Sequence, residues 1–479
     1  MCASHSEYVK LVRRMVNANM LDFTTQPKVV NGVFGVPKGE GSIRLIIDAR
    51  PANSVFVDPE KVALPTPDLL TQLIVNRDEP LFVAKVDLDN FYHRLLLPEW
   101  MRPFFALPAI RSADLGLEHV YGVGSVVHPC CKTLPMGWSH SVFVAQRAHE
   151  NFLDTRTSLR LQDRITHTSD MALDRVRHQV YIDDLNLFGT DRNQVAMAQQ
   201  AYLAAVTDFG LTVKSSKVVL PSSLGVECLG LRVHGLEHTV GVVPSKLQVL
   251  CNDTRLFLRR TRSTGQELAR LVGKWTWACL ARRPALSVFN AVYRFIECAG
   301  TRVFTVWASV KRELAVIWGL APLLFTSLDS SWFPQLVATD ASGDGQGVVA
   351  TNCGEQVMHR LAADQEELTN LVSSFESDWS VIISSRWKFT EHINPLEVRA
   401  IMSAVQWVVS HRTTVGQRVL MFTDSQVALG CINKGRSSSQ ALLRRLRALA
   451  ALVMAAGLQL CLRWIPTHIN PADEPSRVF

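Results

Sequence analysis

The sequence predicts a multidomain protein of mixed α/β and α+β class, with two separate carboxylate clusters joined by a basic helical stretch. Three observations lead there. Asp183 and Asp184 sit side by side between two short apolar runs, Val180–Ile182 and Leu185–Phe188, which read as the strands of a hairpin with the acids at its tip. A second set of acids, Asp340, Glu397, Asp424 and Asp473, lies at the ends of strand-like runs or at the start of a helical one, in a βββαβα-like order. Between the two sets, Ser245–Leu320 carries 13 lysines and arginines and four acids, a local net of +9 in a chain whose total is +7. A basic middle flanked by acid-bearing segments suits a polyanion lying along it.

Bulk properties narrow the class further. With 479 residues, 47% hydrophobic, 19% charged and 11 Trp, the chain has material for two to four domains with buried cores and is not disordered. Its ten cysteines form no C-x-x-C pair and no zinc-finger spacing, and the adjacent Cys130 and Cys131 read as small buried hydrophobes, so an intracellular, reduced protein is expected. No signal-peptide pattern opens the chain. The most apolar late stretch, Leu449–Leu462, contains Gly457 and Gln459 and is too short to span a bilayer. No membrane partner is expected.

Two adjacent carboxylates repel each other. A solvated turn would accommodate them, since Asp is favoured in turns; a divalent metal would give them a reason, since carboxylates are hard ligands for Mg²⁺. What separates these readings is Asp87, which ends the apolar run Leu81–Leu88 and precedes Asp89, Asn90, Phe91 and Tyr92. A buried strand ending there sets a third acid beside the hairpin. Asp87, Asp183 and Asp184 could then hold two Mg²⁺ (or Mn²⁺) about 4 Å apart, the clamp on attacking and leaving oxygens in an in-line displacement.

In this order, VDLDNFYHRLLL (86–97), LPMGW (134–138) and YIDD (181–184) resemble the A, B and C motifs of reverse transcriptases. The resemblance covers almost the whole chain. It implies a right-hand polymerase with fingers and palm over 1–242, a basic helical thumb or connection over 243–333, and a ribonuclease H-like domain over 334–479. The implied activity is RNA-directed DNA polymerase with ribonuclease H, and the implied partners are an RNA template, a DNA primer, dNTPs and RNA–DNA hybrid.

Taken in order, residues 1–30 hold a short helical pattern from Tyr8 to Met20. Val33–Lys38 and Ile43–Asp48 read as two strands with Gly39–Gly41 as their turn. There the resemblance makes Arg44 a contact to the incoming triphosphate, a task suited to a paired guanidinium; a surface Arg is the plainer alternative. Tyr92 stands where reverse transcriptases carry an aromatic gate that excludes a 2′-hydroxyl. LPMGW opens a helix running to about Phe152, with Val142, Phe143, Ala145 and Ala148 on its apolar face. Gly137 is expected to let backbone approach the nascent base pair, and Met136 replaces the Gln of retroviral enzymes. Asn193–Phe209 reads as a helix. Lys217, with Lys214 as competitor, matches a lysine that protonates the leaving pyrophosphate, and Gly230 lies in a stretch like the hairpin that grips the primer. From Pro244 onwards apolar and cationic residues alternate at helical spacing, so Arg270, Lys274, Arg282 and Arg283 are expected along nucleic-acid phosphates.

Leu328–Gln335 reads as a linker. After it, TDAS (339–342), PLE (395–397), TDS (423–425) and H-x-N-x-A-D (468–473) resemble the D-E-D-D set of ribonuclease H, which makes Asp340, Glu397, Asp424 and Asp473 ligands of a second pair of Mg²⁺. Asn394 is the expected cap of the Glu397 helix, with Pro395 in its first position. The long gap from Asp340 to Glu397 predicts an insertion near Glu366–Ser385, and His468 is a candidate for product release. The ending Pro-Ala-Asp-x-x-Ser-Arg resembles gypsy-type or DIRS-type retroelements. No protease, zinc-knuckle or integrase motif occurs, as expected of an excised or short polymerase unit located in the cytoplasm, in a virus-like particle, or in the nucleus. The sequence does not fix an oligomeric state. A domesticated, catalytically silent RNA-binding scaffold of the same fold is the alternative, which all seven acids speak against; an RNA-dependent RNA polymerase is disfavoured by Tyr92 and the appended nuclease motifs.

Overall fold

Phe82–Asp87 is apolar on both faces, and Val83, Ala84 and Val86 are completely buried. A strand of this kind belongs inside a sheet covered on two sides. The computed structural model, which describes residues 4–39, 42–166, 171–363, 378–411 and 414–479, places it so. The sheet, in the region expected to be the palm and so named below, is antiparallel, in the order Arg177–Tyr181, Asp184–Gly189, Phe82–Asp87, Val219–Ser222. Ala84, Val86, Val180, Leu185 and Leu187 pack into one core with residues of helices Ser141–Arg156 and Arg192–Asp208. Val83 and Phe188 face the other way, into a core shared with Val226, Cys228, Leu231, Val233 and Val240. Gly32–Gly39 and Ser42–Asp48 pair as an antiparallel hairpin in the region expected to be the fingers, the name it keeps below.

The last of those cores belongs to a four-stranded sheet, Val226–Cys228, Leu231–His234, Thr239–Val242 and Phe325–Ser327. Its fourth strand comes from beyond the basic section. Four helices, Pro244–Leu258, Gly265–Ala278, Ala291–Ala299 and Ala308–Leu320, are therefore an excursion out of this sheet and back. Helix Gly265–Ala278 starts at a capping box in which Thr264 and Glu267 satisfy each other's backbone amides. Those hydrogen bonds hold the Glu267 carboxyl down at about 2. Trp275 is fully buried beneath it and donates to Thr254 Oγ1 at 2.8 Å.

The C-terminal unit is a five-stranded sheet in the order Ser380–Arg386, Gly345–Asn352, Gln335–Ala341, Arg418–Thr423, Gln459–Trp464, with the first three antiparallel and the last two added in parallel. Helices Ile393–Ser410 and Gln440–Ala455 cover one face, and Met358, Leu361 and Ile465 close the other. Two expectations need correction here. The helix carrying Glu397 begins at Ile393 and its cap is His392, which accepts from the Asn394 amide at 3.3 Å, so Asn394 is inside the helix. The expected insertion over 366–385 lies outside the described residues up to 377; its end is the edge strand Ser380–Arg386, which belongs to the sheet.

Arginines stitch this unit to the rest. Arg447 donates to Ser287 O, Val288 O and Glu313, and Glu313 also accepts the amides of Asn290, Ala291 and Val292. Arg418, buried, reaches back to Leu73 O at 2.8 Å and Leu328 O at 3.0 Å. The nine cysteines among the described residues are free; burial pushes the Cys130 and Cys131 thiols up to about 12. Among the described residues no helix is long and apolar enough to cross a membrane.

Candidate active sites

Strand register puts Asp87 directly opposite Asp184, and Tyr181 pairs with Asp184, so the hairpin turn is the two residues Ile182 and Asp183. Backbone bonds lock the pieces together, Leu88 N to Asp183 O and Lys214 N to Asp87 O, both 2.9 Å. Asp87 is buried and accepts from Lys217 Nζ; Asp184 Oδ2 accepts from Lys85 Nζ at 3.2 Å. Burial pushes the Asp184 carboxyl up to about 6 against the pull of Lys85, and burial, with the nearby Asp87 charge, also raises Asp183. Asp184 Oδ1 is buried with no hydrogen-bond partner, which leaves a hard oxygen for a cation.

The turn itself is strained. Ile182 has φ 56°. Positive φ at the first of two turn positions is the type II′ pattern, which normally takes Gly, and a β-branched residue there costs of order 1–3 kcal/mol. The surroundings over-determine it: Gln146 Oε1 accepts from Ile182 N at 2.7 Å, Gln146 Nε2 donates to Val180 O at 3.1 Å, and His149 Nδ1 meets Ile182 O at 2.8 Å. Gln146 and His149 lie three residues apart on the helix, which places them on one face. That buried face is Ser141, Ala145, Gln146, His149, Phe152 and Leu153, while Val142, Phe143 and Ala148 are only partly buried. Sequence reasoning missed Gln146, His149 and Lys85; two polar residues at helical spacing within an apolar face were the available signal.

The other expected residues divide. Tyr92 packs half-buried on the palm core beside Asp183, and burial, then the Asp183 charge, raises its hydroxyl. Arg44 is exposed on the fingers hairpin, opposite Val36. Gly137 has φ +125°, and a Cβ there would come within 2.1 Å of Ile47 O in strand Ser42–Asp48, so the fold itself requires Gly at this position. Gly230 and Leu229, both at positive φ, make the turn between strands Val226–Cys228 and Leu231–His234, and a Cβ on Gly230 would meet Trp277 Nε1 at 2.5 Å. On the thumb helix Arg270 is exposed, and exposed Lys274 pairs with Asp253 at 2.9 Å. Arg282 is a correction, and Arg283 has partners within the chain. Arg282 is 8% exposed and donates to Val453 O and Leu458 O, and burial pulls its guanidinium down to about 10. Arg283 donates to Asn433 O at 3.0 Å and ion-pairs with Asp68 at 3.2 Å. Arg282 serves the seam with the C-terminal unit, which covers it; Arg283 is partly exposed and ties Asn433 of that unit to Asp68 of the N-terminal part.

In the C-terminal sheet, Thr339 pairs with Thr423 in adjacent parallel strands, so the next residues, Asp340 and Asp424, emerge together at the strands' carboxyl ends, where open α/β sheets place ligands. Helix Ile393–Ser410 brings Glu397 onto them. Oxygens of Asp340, Glu397 and Asp424 lie within 4.8 Å of one another. Among the described residues this is the one trio of acids so tightly gathered; the palm acids are spread wider. Burial, then the Asp340 and Asp424 charges, pushes Glu397 up to about 9, and burial lifts Asp340 to about 6. Glu397 Oε2 is buried without a partner. Three crowded hard carboxylates with an orphaned oxygen fit a divalent cation. Asp473 stands at the edge, within electrostatic reach of Asp340 and held by Arg477 at 2.7 Å. Asn470, buried, donates to Thr339 O at 3.2 Å and so ties the 468–473 stretch to the Asp340 strand. His468 is exposed.

Comparison with known proteins bears on the first site. The foamy viral protease-reverse transcriptase resembles the chain in three solved structures. In complex with RNA/DNA hybrid it aligns at 14% identity with a TM-score of 0.53, over 97% of this chain and 54% of that one. A form of it with ds DNA aligns at 13% identity and TM-score 0.53, over 96% and 69%; another dsDNA complex gives 14% and 0.50, over 95% and 81%. At such identities the likeness is one of fold. Residues 36–233, which contain Arg44, Asp87, Tyr92, Gly137 and the YIDD turn, match the family model of the reverse transcriptase (RNA-dependent DNA polymerase), and over that span the chain carries a reverse transcriptase domain.

Proposed function

We propose that the protein copies RNA into DNA at Asp87, Asp183 and Asp184, and cuts the RNA strand of the resulting hybrid at Asp340, Glu397, Asp424 and Asp473. The observation that carries the first half is the register of Asp87 opposite Asp184, beside the Ile182-Asp183 turn, inside the reverse transcriptase match. The second half rests on the trio Asp340, Glu397 and Asp424 at the ends of parallel strands. Divalent cations, Mg²⁺ with Mn²⁺ as substitute, supply Lewis acidity and phosphate neutralisation at both sites when bound.

The chain's own residues do the rest. Tyr92, beside Asp183, forms the floor on which a 2′-hydroxyl would clash. Lys217, already on Asp87, is the ammonium we assign to give a proton to a departing pyrophosphate, and Lys214 bonds Asp87 O through its backbone amide. Arg44, exposed on its hairpin, would meet triphosphate, and the exposed cations Arg270 and Lys274 would follow phosphates. RNA template, DNA primer, hybrid and dNTPs are the partners, and a retroelement of gypsy or DIRS type acting inside the cell is the proposed source. Primer extension on an RNA template with dNTPs or rNTPs and Mg²⁺, beside cleavage of a labelled RNA–DNA hybrid, tests both halves. Template binding without either activity would turn the protein into a silent scaffold.

A further inference from the structure

A polar relay runs through the palm core behind the YIDD turn. Tyr202, on helix Arg192–Asp208, and His149, on helix Ser141–Arg156, are both fully buried. The Tyr202 hydroxyl lies 2.8 Å from His149 Nε2, and His149 Nδ1 lies 2.8 Å from the Ile182 carbonyl oxygen. A carbonyl can only accept, so Nδ1 carries the proton; the buried ring is neutral, so Nε2 accepts from the tyrosine hydroxyl. Burial pulls the His149 imidazolium down to about 4, consistent with that tautomer. Aromatic neighbours fix both rings, Phe91 at 5.6 Å from His149 and Phe152 edge-on to Tyr202 at 6.0 Å.

The relay ends on a particular peptide group. The Ile182 carbonyl belongs to the plane joining Ile182 to Asp183, and a peptide is rigid, so holding that oxygen holds the point from which Asp183 leaves the turn. Ile182 also has the positive φ of this turn. Filling the core would need only apolar side chains, whereas a buried histidine and tyrosine cost free energy unless bonded. Both ring nitrogens are bonded, and one bond is to the active-site turn.

We propose that Tyr202 and His149 are positioning residues, which hold the Ile182–Asp183 peptide plane and so keep the Asp183 carboxylate beside Asp87 and Asp184. The inference rests on the polymerase function proposed above for its kinetic consequence, though not for its structural one.

Three variants of the full chain test it: His149→Leu, which removes both ring nitrogens; His149→Asn, whose amide can stand where Nδ1–H donates; and Tyr202→Phe, which keeps the ring and removes the hydroxyl. Primer extension gives kcat and KM for dNTP, hybrid cleavage reports the other site, and backbone amide exchange over residues 181–185 reports the turn. His149→Leu is expected to lower kcat roughly ten- to hundred-fold, the size of one buried hydrogen bond lost from a preorganised site. KM for dNTP and hybrid cleavage should stay within about two-fold, and exchange over 181–185 should quicken. His149→Asn should recover most of kcat, with Tyr202→Phe between. Unchanged kcat and exchange in Tyr202→Phe and His149→Leu would overturn the relay. So would equal losses in His149→Asn and His149→Leu that follow a fall in Tm, which would assign His149 to packing. A wild-type protein that extends no primer would remove the polymerase function, while exchange over 181–185 would still decide the relay.

Discussion

The two acid sites of this chain solve the same electrostatic problem in opposite ways. In the palm, Lys217 sits on Asp87 and Lys85 on Asp184, so the chain carries its own counter-charges. In the C-terminal sheet, Arg477 ion-pairs with the outlying Asp473 and is felt by Asp340 and Asp424 only at a distance, while Asp340, Glu397 and Asp424 crowd together, and Glu397 is pushed up to about 9. Like charges a few ångströms apart cannot all ionise without a cation between them. In the palm, Asp87 and Asp184 are charge-paired within the chain; the trio of the second site has no ion pair of its own among the described residues.

Asp183→Asn should produce the largest effect. It touches the strained turn and no residue of the other site. DNA synthesis should fall by at least about a thousand-fold, a loss of several kcal/mol of electrostatic stabilisation, while hybrid cleavage by the same preparation stays near wild type. Joint loss of both activities would show that the two sites are not independent.

Glu397→Gln sharpens the contrast. It should abolish hybrid cleavage and yet stabilise the metal-free protein at alkaline pH. Glu397 has its folded pKa raised from 4.5 to about 9, so the stability it allows is complete below about pH 4.5 and is lost as pH rises towards 9. Melting without metal should show Tm declining over that window, and Mg²⁺ should restore it, because binding favours the ionised site. In Glu397→Gln the decline should shrink, with a gain of about 1–3 kcal/mol near pH 9, the cost of one poorly solvated charge. Asp87→Asn should give no such gain, since Asp87 already has Lys217. A flat wild-type profile would mean the trio is not charge-frustrated.

Tyr92→Val comes next, and its effect should be confined to the palm. The ratio of rNTP to dNTP incorporation should rise about ten- to hundred-fold if the ring excludes a 2′-hydroxyl, a discrimination of about 1–3 kcal/mol. An unmoved ratio would take Tyr92 out of sugar selection.

Much of this was legible in the sequence because the acids end strongly apolar strands. Asp87, Asp340 and Asp424 each terminate a run whose burial is dictated by composition, so their placement followed from the strands. What escaped was chemistry spent on backbone. Helical spacing within an apolar face marks Gln146 and His149 as buried, but the carbonyls and amide they bond belong to a turn distant in sequence, and no periodicity names that partner. Arg282 misled for the same reason: a cation in a basic stretch reads as facing phosphate, and only the packing of Val453 and Leu458 over it shows otherwise. At Gly137 the structure adds a close approach to Ile47 O of strand Ser42–Asp48, a meeting of distant segments that no local pattern encodes.

The smallest expected effect separates those cations. Arg270 is exposed on the thumb helix, three residues from Gly273 and seven from Trp277, whose ring abuts the Gly230 turn. If duplex lies along this face, Arg270 meets one phosphate, and its replacement by Ala should flatten the slope of log K against log salt by about 0.9, weakening primer–template binding a few-fold on every sequence alike. Arg282→Ala should leave that slope unchanged, because its guanidinium is closed off from solvent by the C-terminal unit. It should instead lower stability by about 2–4 kcal/mol, since two buried carbonyls lose their donor. Salt titrations of the two variants beside their melting curves make the test. A flattened slope with unchanged Tm in Arg282→Ala would mean that the seam opens to admit nucleic acid. Flattening in Arg270→Ala alone would put the track on the exposed helix face and leave Arg282 to hold the thumb and the second site together.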